Sequence, residues 1–328
     1  MSRLFPSRPL FSDAEHALSA LDFVAIVGPT ASGKSALALA LAESIGAEIV
    51  SCDSQHVYRR LDIGTAKPTL DDRVRVPHHL IDVCSPTEQL SAGDFVRMAD
   101  AALADIRHRG KRAVVVGGTG LWLRALVFGM IEVPESSPEV RERLERALEA
   151  EGKAALFERL RAIDPIAAER IDAHNSVRVV RALELFELTG ERPSALWERH
   201  AFRTPRHHAR TFGLSPPRER LYARIDARTR QMFDTGLLDE ARALLDEGLG
   251  NAAALQRAIG YPQALAHLAG ELSLEAAIET TARATRRYAK RQWTWFKAER
   301  QVEWLDAHEL APALDELVQR LATPTRRA

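Results

Sequence analysis

The sequence predicts an α/β fold: a P-loop NTPase-like parallel sheet flanked by helices, carrying an all-helical insertion domain. Three observations lead there. The pattern Gly28-x-x-x-x-Gly33-Lys34-Ser35 joins an apolar run to an alanine- and leucine-rich helical stretch, the strand–loop–helix setting of a phosphate-binding loop. Further short apolar runs alternate with helix-like segments, as a parallel sheet requires. After Pro134 these runs stop, and helix start and stop signals follow one another instead.

In chain order, "FVAIVG" (23–28) is the first strand and "KSALALALAESI" the helix after the loop. "AEIVS" (47–51) is the second strand and ends at Cys52-Asp53-Ser54-Gln55. "HLIDV" (79–83) and "RAVVVGG" (112–118) read as further buried strands, separated by the helical "AGDFVRMADAALADIRHRG". In the insertion, "SSPEVRERLERALEAEG" has a capping serine, Pro138 just inside the helix and Gly152 as a stop. Asp164-Pro165 and Asn175 start two more helices, and Gly190 ends the second. "ARTFGLS" (209–215) returns as a strand, long helices fill about 217–298, "VEWLD" (302–306) is a last strand, and a helix closes the chain. The expected organisation is an N-terminal extension at 1–21, an α/β core from 22–134 and 201–328, and a helical insertion at 135–200.

Composition narrows the function. The 328 residues carry 45 Lys and Arg against 45 Asp and Glu, which argues against a general nucleic-acid binder. The balance hides an uneven spread, because "RATRRYAKRQWTWFKAER" (283–300) is basic with aromatics interleaved. The two cysteines, Cys52 and Cys84, have no metal-ligand spacing and read as buried thiols of a cytoplasmic protein. No segment approaches the roughly 18 apolar residues of a membrane span, and no signal-peptide core is present near the start.

A phosphate loop works by converging backbone N–H groups and a helix N-terminus on phosphate oxygens. Here Gly28, Pro29, Thr30, Ala31, Ser32 and Gly33 supply the backbone, Lys34 a charge, and Ser35 a hydroxyl placed for Mg²⁺. The acid that P-loop hydrolases keep at a strand end is missing from "AVVVGGTG", and no guanine-reading motif occurs. An acid stands instead at Asp53, after the second strand. Strand C-termini line the ligand crevice of such sheets, so Asp53 and Thr119 are expected to face the loop. Phosphate binders, a carboxylate and a hydroxyl are present without hydrolytic apparatus. A carboxylate so placed is a general base, a Mg²⁺ ligand or a helix cap.

"GPTASGKS", "CDSQHVYRRLDIGTAKP", "HHLIDV", "VVVGGTGLW", "DPIAAERI", "RVVRALE", "AIGY" and "TRRYAKRQWTWF" occur in the order found in bacterial tRNA dimethylallyltransferases, which prenylate the adenosine 3′ of the anticodon. The chain resembles that family from about residue 22 to 306. It departs from it at Trp122, where the family commonly has tyrosine. The resemblance implies that the loop holds the diphosphate of dimethylallyl diphosphate with Mg²⁺, which needs no hydrolytic acid. It assigns Asp53 as the base toward adenine N6, and places Thr119 and Arg228 at the reacting centre. Against tRNA it places Asp53, Ser54, Gln55, His56 and Thr119, then Arg141, Arg178, Val179, Val180 and Arg181 of the insertion. It adds Arg257, Gly260, Tyr261, Lys290, Arg291, Gln292 and Trp293. Taken separately, Arg178 and Arg181 read more often as a solvated helix face, and Trp293 and Trp295 more often as core. A monomer is implied. From the loop alone, a small-molecule or nucleoside kinase is the competing reading.

Overall fold

The computed structural model describes residues 18–131, 137–200, 204–306 and 308–323. Contacts group the chain into two compact units, one of residues 1–127 with 206–328 and one of residues 128–205. The boundary residues expected from sequence, 134 and 201, lie outside the described residues, as does most of the expected N-terminal extension. That extension does not run to residue 21: Leu18 is buried in the main core and Leu21 packs against it.

The first unit opens with β1 (Phe23–Val27), α1 (Lys34–Ile45) and β2 (Ala47–Ser51). Next come α2 (Leu70–Arg75), β3 (His78–His79), α3 (Ala92–His108), β4 (Arg112–Gly117) and α4 (Gly120–Phe128). The six strands among the described residues form one sheet in the order β3-β2-β4-β1-β5-β6, with β5 at Ala209–Gly213 and β6 at Val302–Trp304. Every pairing is parallel, and β1 lies between β4 and β5, in register Ile26 with Val116 and Phe212. Strands buried on both faces need continuous apolar sequence, which "FVAIV" and "AVVV" provide. The core beneath includes Ile26, Leu37, Leu41, Ile49, Phe212 and Leu317.

The stretch "HLIDV" does not form the expected strand. Pairing with β2 stops at His79, because Leu80 and Asp82 adopt left-handed backbone (φ 61° and 60°). The chain turns to bond residues 56–59 instead, with Asp82 N donating to His56 O and Cys84 N to Val57 O. The Asp82 carboxylate explains the detour: it binds the buried Lys67 ammonium at 2.6 Å and Arg73 at 2.8 Å.

The second unit is helical, with α5 (Pro138–Ile163), α6 (Pro165–Arg170), α7 (Ser176–Thr189) and α8 (Pro193–His200). Gly152 breaks α5 with φ 85°, where sequence placed a stop. Leu144, Leu156, Leu160, Val179, Val180 and Leu183 build its core. Asp164 is fully buried, yet both its oxygens are used: one caps α6 through Ala167 N and the other accepts from Ser194 N at 2.7 Å.

The rest of the first unit is α9 (Arg218–Asp234), α10 (Leu237–Asp246), α11 (Ala253–Arg257), α12 (Tyr261–Leu268), α13 (Leu274–Lys297) and α14 (Leu310–Ala322). No helix among the described residues is long and apolar enough to cross a membrane.

Candidate active site

The phosphate loop is the turn between β1 and α1. Gly28 has φ 150°, and a Cβ there would meet Leu214 O at 2.4 Å, so the tight exit from the strand requires glycine. Gly33 precedes α1 in left-handed conformation, so the first free N–H groups of a twelve-residue helix face the loop. Lys34 opens that helix. Burial pushes its ammonium down to about 8, Asp53 opposes the shift, and Arg228 adds to it.

Two neighbouring strand ends supply the remaining groups. β2 delivers Asp53 and β4 delivers the Gly117–Gly118–Thr119 turn, with Thr119 N donating to Cys52 O at 3.3 Å. Thr119 Oγ1 accepts Ser54 N at 3.0 Å, so the hydroxyl fixes the backbone next to the acid. Asp53 Oδ1 accepts Gln55 N at 2.9 Å, an Asx turn that orients the carboxylate and leaves Oδ2 without a hydrogen bond from the described residues. Burial pushes the neighbouring Cys52 thiol well above its usual range, and the Asp53 charge adds to this, so Cys52 is not a nucleophile here.

Two cavities here share Arg228 in their walls. One, of about 240 Å³, is lined by Asp53, Gln55, Thr30, Arg228, Tyr288 and Arg257, among others. The second, of about 460 Å³, is lined by Gly33, Lys34, Ser35, Arg224 and Arg228. Arg228 borders both, its Nη2 bonded to Thr30 Oγ1 of the loop. Burial lowers the Arg228 pKa, and Asp53 resists the change. The arrangement presents a carboxylate on one side of an arginine and a phosphate cradle on the other.

Several residues expected against RNA have other duties. Gln292 is buried, with Oε1 accepting Thr30 N at 2.8 Å and Nε2 donating to Gly118 O at 2.9 Å; it clamps the phosphate loop to the β4 turn. Tyr261 is fully buried, its hydroxyl on Glu240 at 2.5 Å. Val179 and Val180 point into the helical core, so their side chains offer no surface to a ligand. His56 bridges Ser51 Oγ and Thr65 O at 3.3 and 3.1 Å, and burial lowers its pKa against the pull of Asp53. Arg178, Arg257, Lys290 and Arg291 are exposed, Arg141 is half-buried and paired with Glu145 at 3.2 Å, and Trp293 is 40 % exposed with Lys297 over its ring, a surface residue and not core. Gly260 opens α12 at φ 109°, its N–H donating to Gln263. Trp122 stacks on Phe95 at 4.5 Å in the interior, so its missing hydroxyl removes nothing from the cavity wall.

Sequence reasoning overlooked Tyr288, Arg224 and Glu240. Tyr288 sits one helical turn before Gln292 on α13 and lines the smaller cavity beside Asp53. Burial and the Asp53 charge both push its hydroxyl pKa upward. The (i, i+4) spacing to Gln292 was a readable signal. Arg224 stands one turn before Arg228 and donates to Ser32 O at 3.4 Å. Glu240 accepts the N–H groups of Asp62, Ile63 and Gly64, fixing the "DIGTAK" loop to Tyr261. No local pattern could announce that role.

No group of three or more His, Cys, Asp and Glu side chains converges among the described residues. Mg²⁺ does not require one, since it is commonly held by one or two protein groups plus substrate phosphates and water. The exposed Ser35, at the head of α1 and on the wall of the larger cavity, fits that mode.

In sequence and fold the chain is similar to known proteins. The model of the IPP transferase family matches residues 56–299, and that of the isopentenyl transferases matches residues 21–78. A tRNA dimethylallyltransferase of Anaeromyxobacter dehalogenans is 52 % identical over 282 residues, covering 86 % of this chain and 94 % of that protein. One from Myxococcus xanthus is 49 % identical, covering 84 % and 89 %. The crystal structure of a tRNA isopentenylpyrophosphate transferase from Bacillus halodurans superposes with TM-score 0.68 at 39 % identity, covering 92 % of this chain and 95 % of that one. A eukaryotic dimethylallyltransferase acting on tRNA gives 0.78 at 28 % identity, covering 91 % and 77 %.

Proposed function

The chain belongs to the IPP transferase family, and from that premise we propose that its two cavities hold the two substrates of one reaction. The enzyme transfers a dimethylallyl group to an adenosine of tRNA. On our reading, dimethylallyl diphosphate lies with its diphosphate on the phosphate loop, and the adenine 3′ of the anticodon enters the cavity beside Asp53. The observation that carries this is Arg228, which lines both the cavity of Asp53 and the cavity of Lys34.

The adenine amino group is a weak nucleophile until a proton leaves, and Oδ2 of Asp53 is the acceptor available. As the N6–carbon bond forms, the allylic C–O bond breaks and its electron pair leaves with diphosphate. Charge builds on the bridging oxygen, where Lys34, Arg228 and the loop N–H groups lower the barrier. Thr119 and Gln292 hold these groups in place. The family depends on a divalent metal, and Mg²⁺ on Ser35 and the phosphates would add positive charge to the leaving group. To reach Asp53 the adenine must leave its stack. The exposed Arg257, Lys290, Arg291 and Trp293 of the first unit suit contact with an RNA loop. Taken by itself, the helical unit offers the exposed Arg178 and the half-buried Arg141 as cations for RNA phosphates.

The test is incubation with unmodified tRNA and dimethylallyl diphosphate, followed by nuclease digestion and mass analysis. A prenylated adenosine with release of diphosphate is expected. Turnover of ATP without prenyl transfer would instead favour the kinase reading.

A further inference from the structure

His308, just before α14, lies outside the sequence motifs, yet it borders the phosphate loop. His308 lines the cavity of about 460 Å³ together with Gly33, Lys34, Ser35, Arg224 and Arg228. Its Nδ1 is buried and has no hydrogen-bond partner among the described residues. Ser32 Oγ, on the same wall, is buried and unpartnered as well. Buried polar atoms without partners are a few per hundred residues at most, so two on one cavity call for an explanation.

The wall itself identifies the missing group. Lys34, Arg224 and Arg228 are donors and cations, and Ser32 and His308 can each donate. The only acid of the lining, Glu309, is paired with Arg220 at 2.5 Å. What such a wall lacks is an anionic acceptor with several oxygens. We infer that His308 is a further diphosphate-binding residue, its ring N–H donating to a non-bridging oxygen of the prenyl donor. This rests on the reading of the phosphate loop given above. It adds to that reading a contact from outside the phosphate loop, so His308 takes part in donor selection.

The experiment measures inorganic diphosphate affinity by calorimetry on tRNA-free enzyme with Mg²⁺, for wild type, His308→Ala, His308→Gln and Lys34→Ala. Thermal melts check that each variant is folded. A hydrogen bond to a charged group corresponds to roughly tenfold in affinity, so His308→Ala should weaken diphosphate binding about tenfold and raise the donor KM alike. His308→Gln, which keeps an N–H donor, should recover part of the loss, while kcat and tRNA affinity stay near wild type. A folded His308→Ala enzyme that binds diphosphate normally overturns the inference. If Lys34→Ala weakens binding in that case, the phosphate-loop reading survives alone. If Lys34→Ala also binds normally, both fall.

Discussion

The side-chain carbonyl of Gln292 accepts the backbone N–H of Thr30 at 2.8 Å, across 262 residues of sequence. Its amide nitrogen donates to Gly118 O, and a side chain on Gly118 would strike that nitrogen at 2.1 Å. One buried amide therefore sets the separation between the loop that binds the donor and the turn that carries Thr119. Gln292→Ala leaves both backbone groups without this partner, at roughly 1–3 kcal/mol for each buried group. A lower melting temperature and a donor KM raised several-fold are expected, with tRNA affinity unchanged. Loss of tRNA affinity with a normal donor KM would return Gln292 to the RNA-facing role inferred from sequence.

Lys34 ties the site to pH. Burial is the main cause of its depressed pKa of about 8, so the free enzyme loses this charge above about pH 8. For the donor, kcat/KM reports free-enzyme groups. It should hold level below pH 8 and fall toward tenfold per pH unit above it. The neighbours act in opposite directions. Arg228→Gln removes a cation that lowers Lys34 and should move the alkaline limb up. Asp53→Asn removes the charge that supports it and should move the limb down. Limbs that shift together, or not at all, would show that Lys34 is not the titrating group.

Asp53→Asn also tests the base. Asparagine can keep the turn to Gln55 N through its own carbonyl, so the local backbone should survive. Removing a general base lowers turnover by roughly 10²–10⁴-fold. Single-turnover kinetics at saturating donor and tRNA should show that loss with tRNA affinity retained. A raised KM with unchanged kcat would move Asp53 from proton transfer to binding.

The parts of this site that could be read from sequence are those made by neighbours in the chain. Gly28 to Ser35 are one continuous stretch of chain from the end of β1 into the start of α1, and Asp53 and Thr119 each follow a strand whose apolar run is unmistakable. What escaped notice was decided by distant partners. The run at 79–83 is apolar enough for a strand, but Lys67 and Arg73 claim Asp82 and bend the backbone away. Gln292 sits in a basic, aromatic stretch that looks like an RNA surface, and only its bonds to Thr30 and Gly118 reveal a clamp. The core placement of the Val179 and Val180 side chains has a simpler reason. On a helix, two adjacent valines flanked by arginines share the inward face, and periodicity alone assigns them to the core.

The two arginines flanking those valines should separate under mutation. Arg178 is exposed, whereas Arg181 is half-buried and binds the fully buried carboxylate of Glu184 at 2.7 Å. Arg181 is thus engaged in holding its own helix. Arg178→Gln should leave stability unchanged and lower the salt slope of tRNA binding by about one unit, the loss of a single phosphate contact. Arg181→Gln should lower stability by about 1–3 kcal/mol by removing a charge-assisted bond to a buried acid. Its tRNA salt slope should stay near wild type. Filter binding across a salt series and denaturant melts on both variants distinguish the two. Equal loss of slope in both would mean that Arg181 releases Glu184 to bind RNA. An unchanged slope for Arg178→Gln would leave that arginine a solvated helix residue.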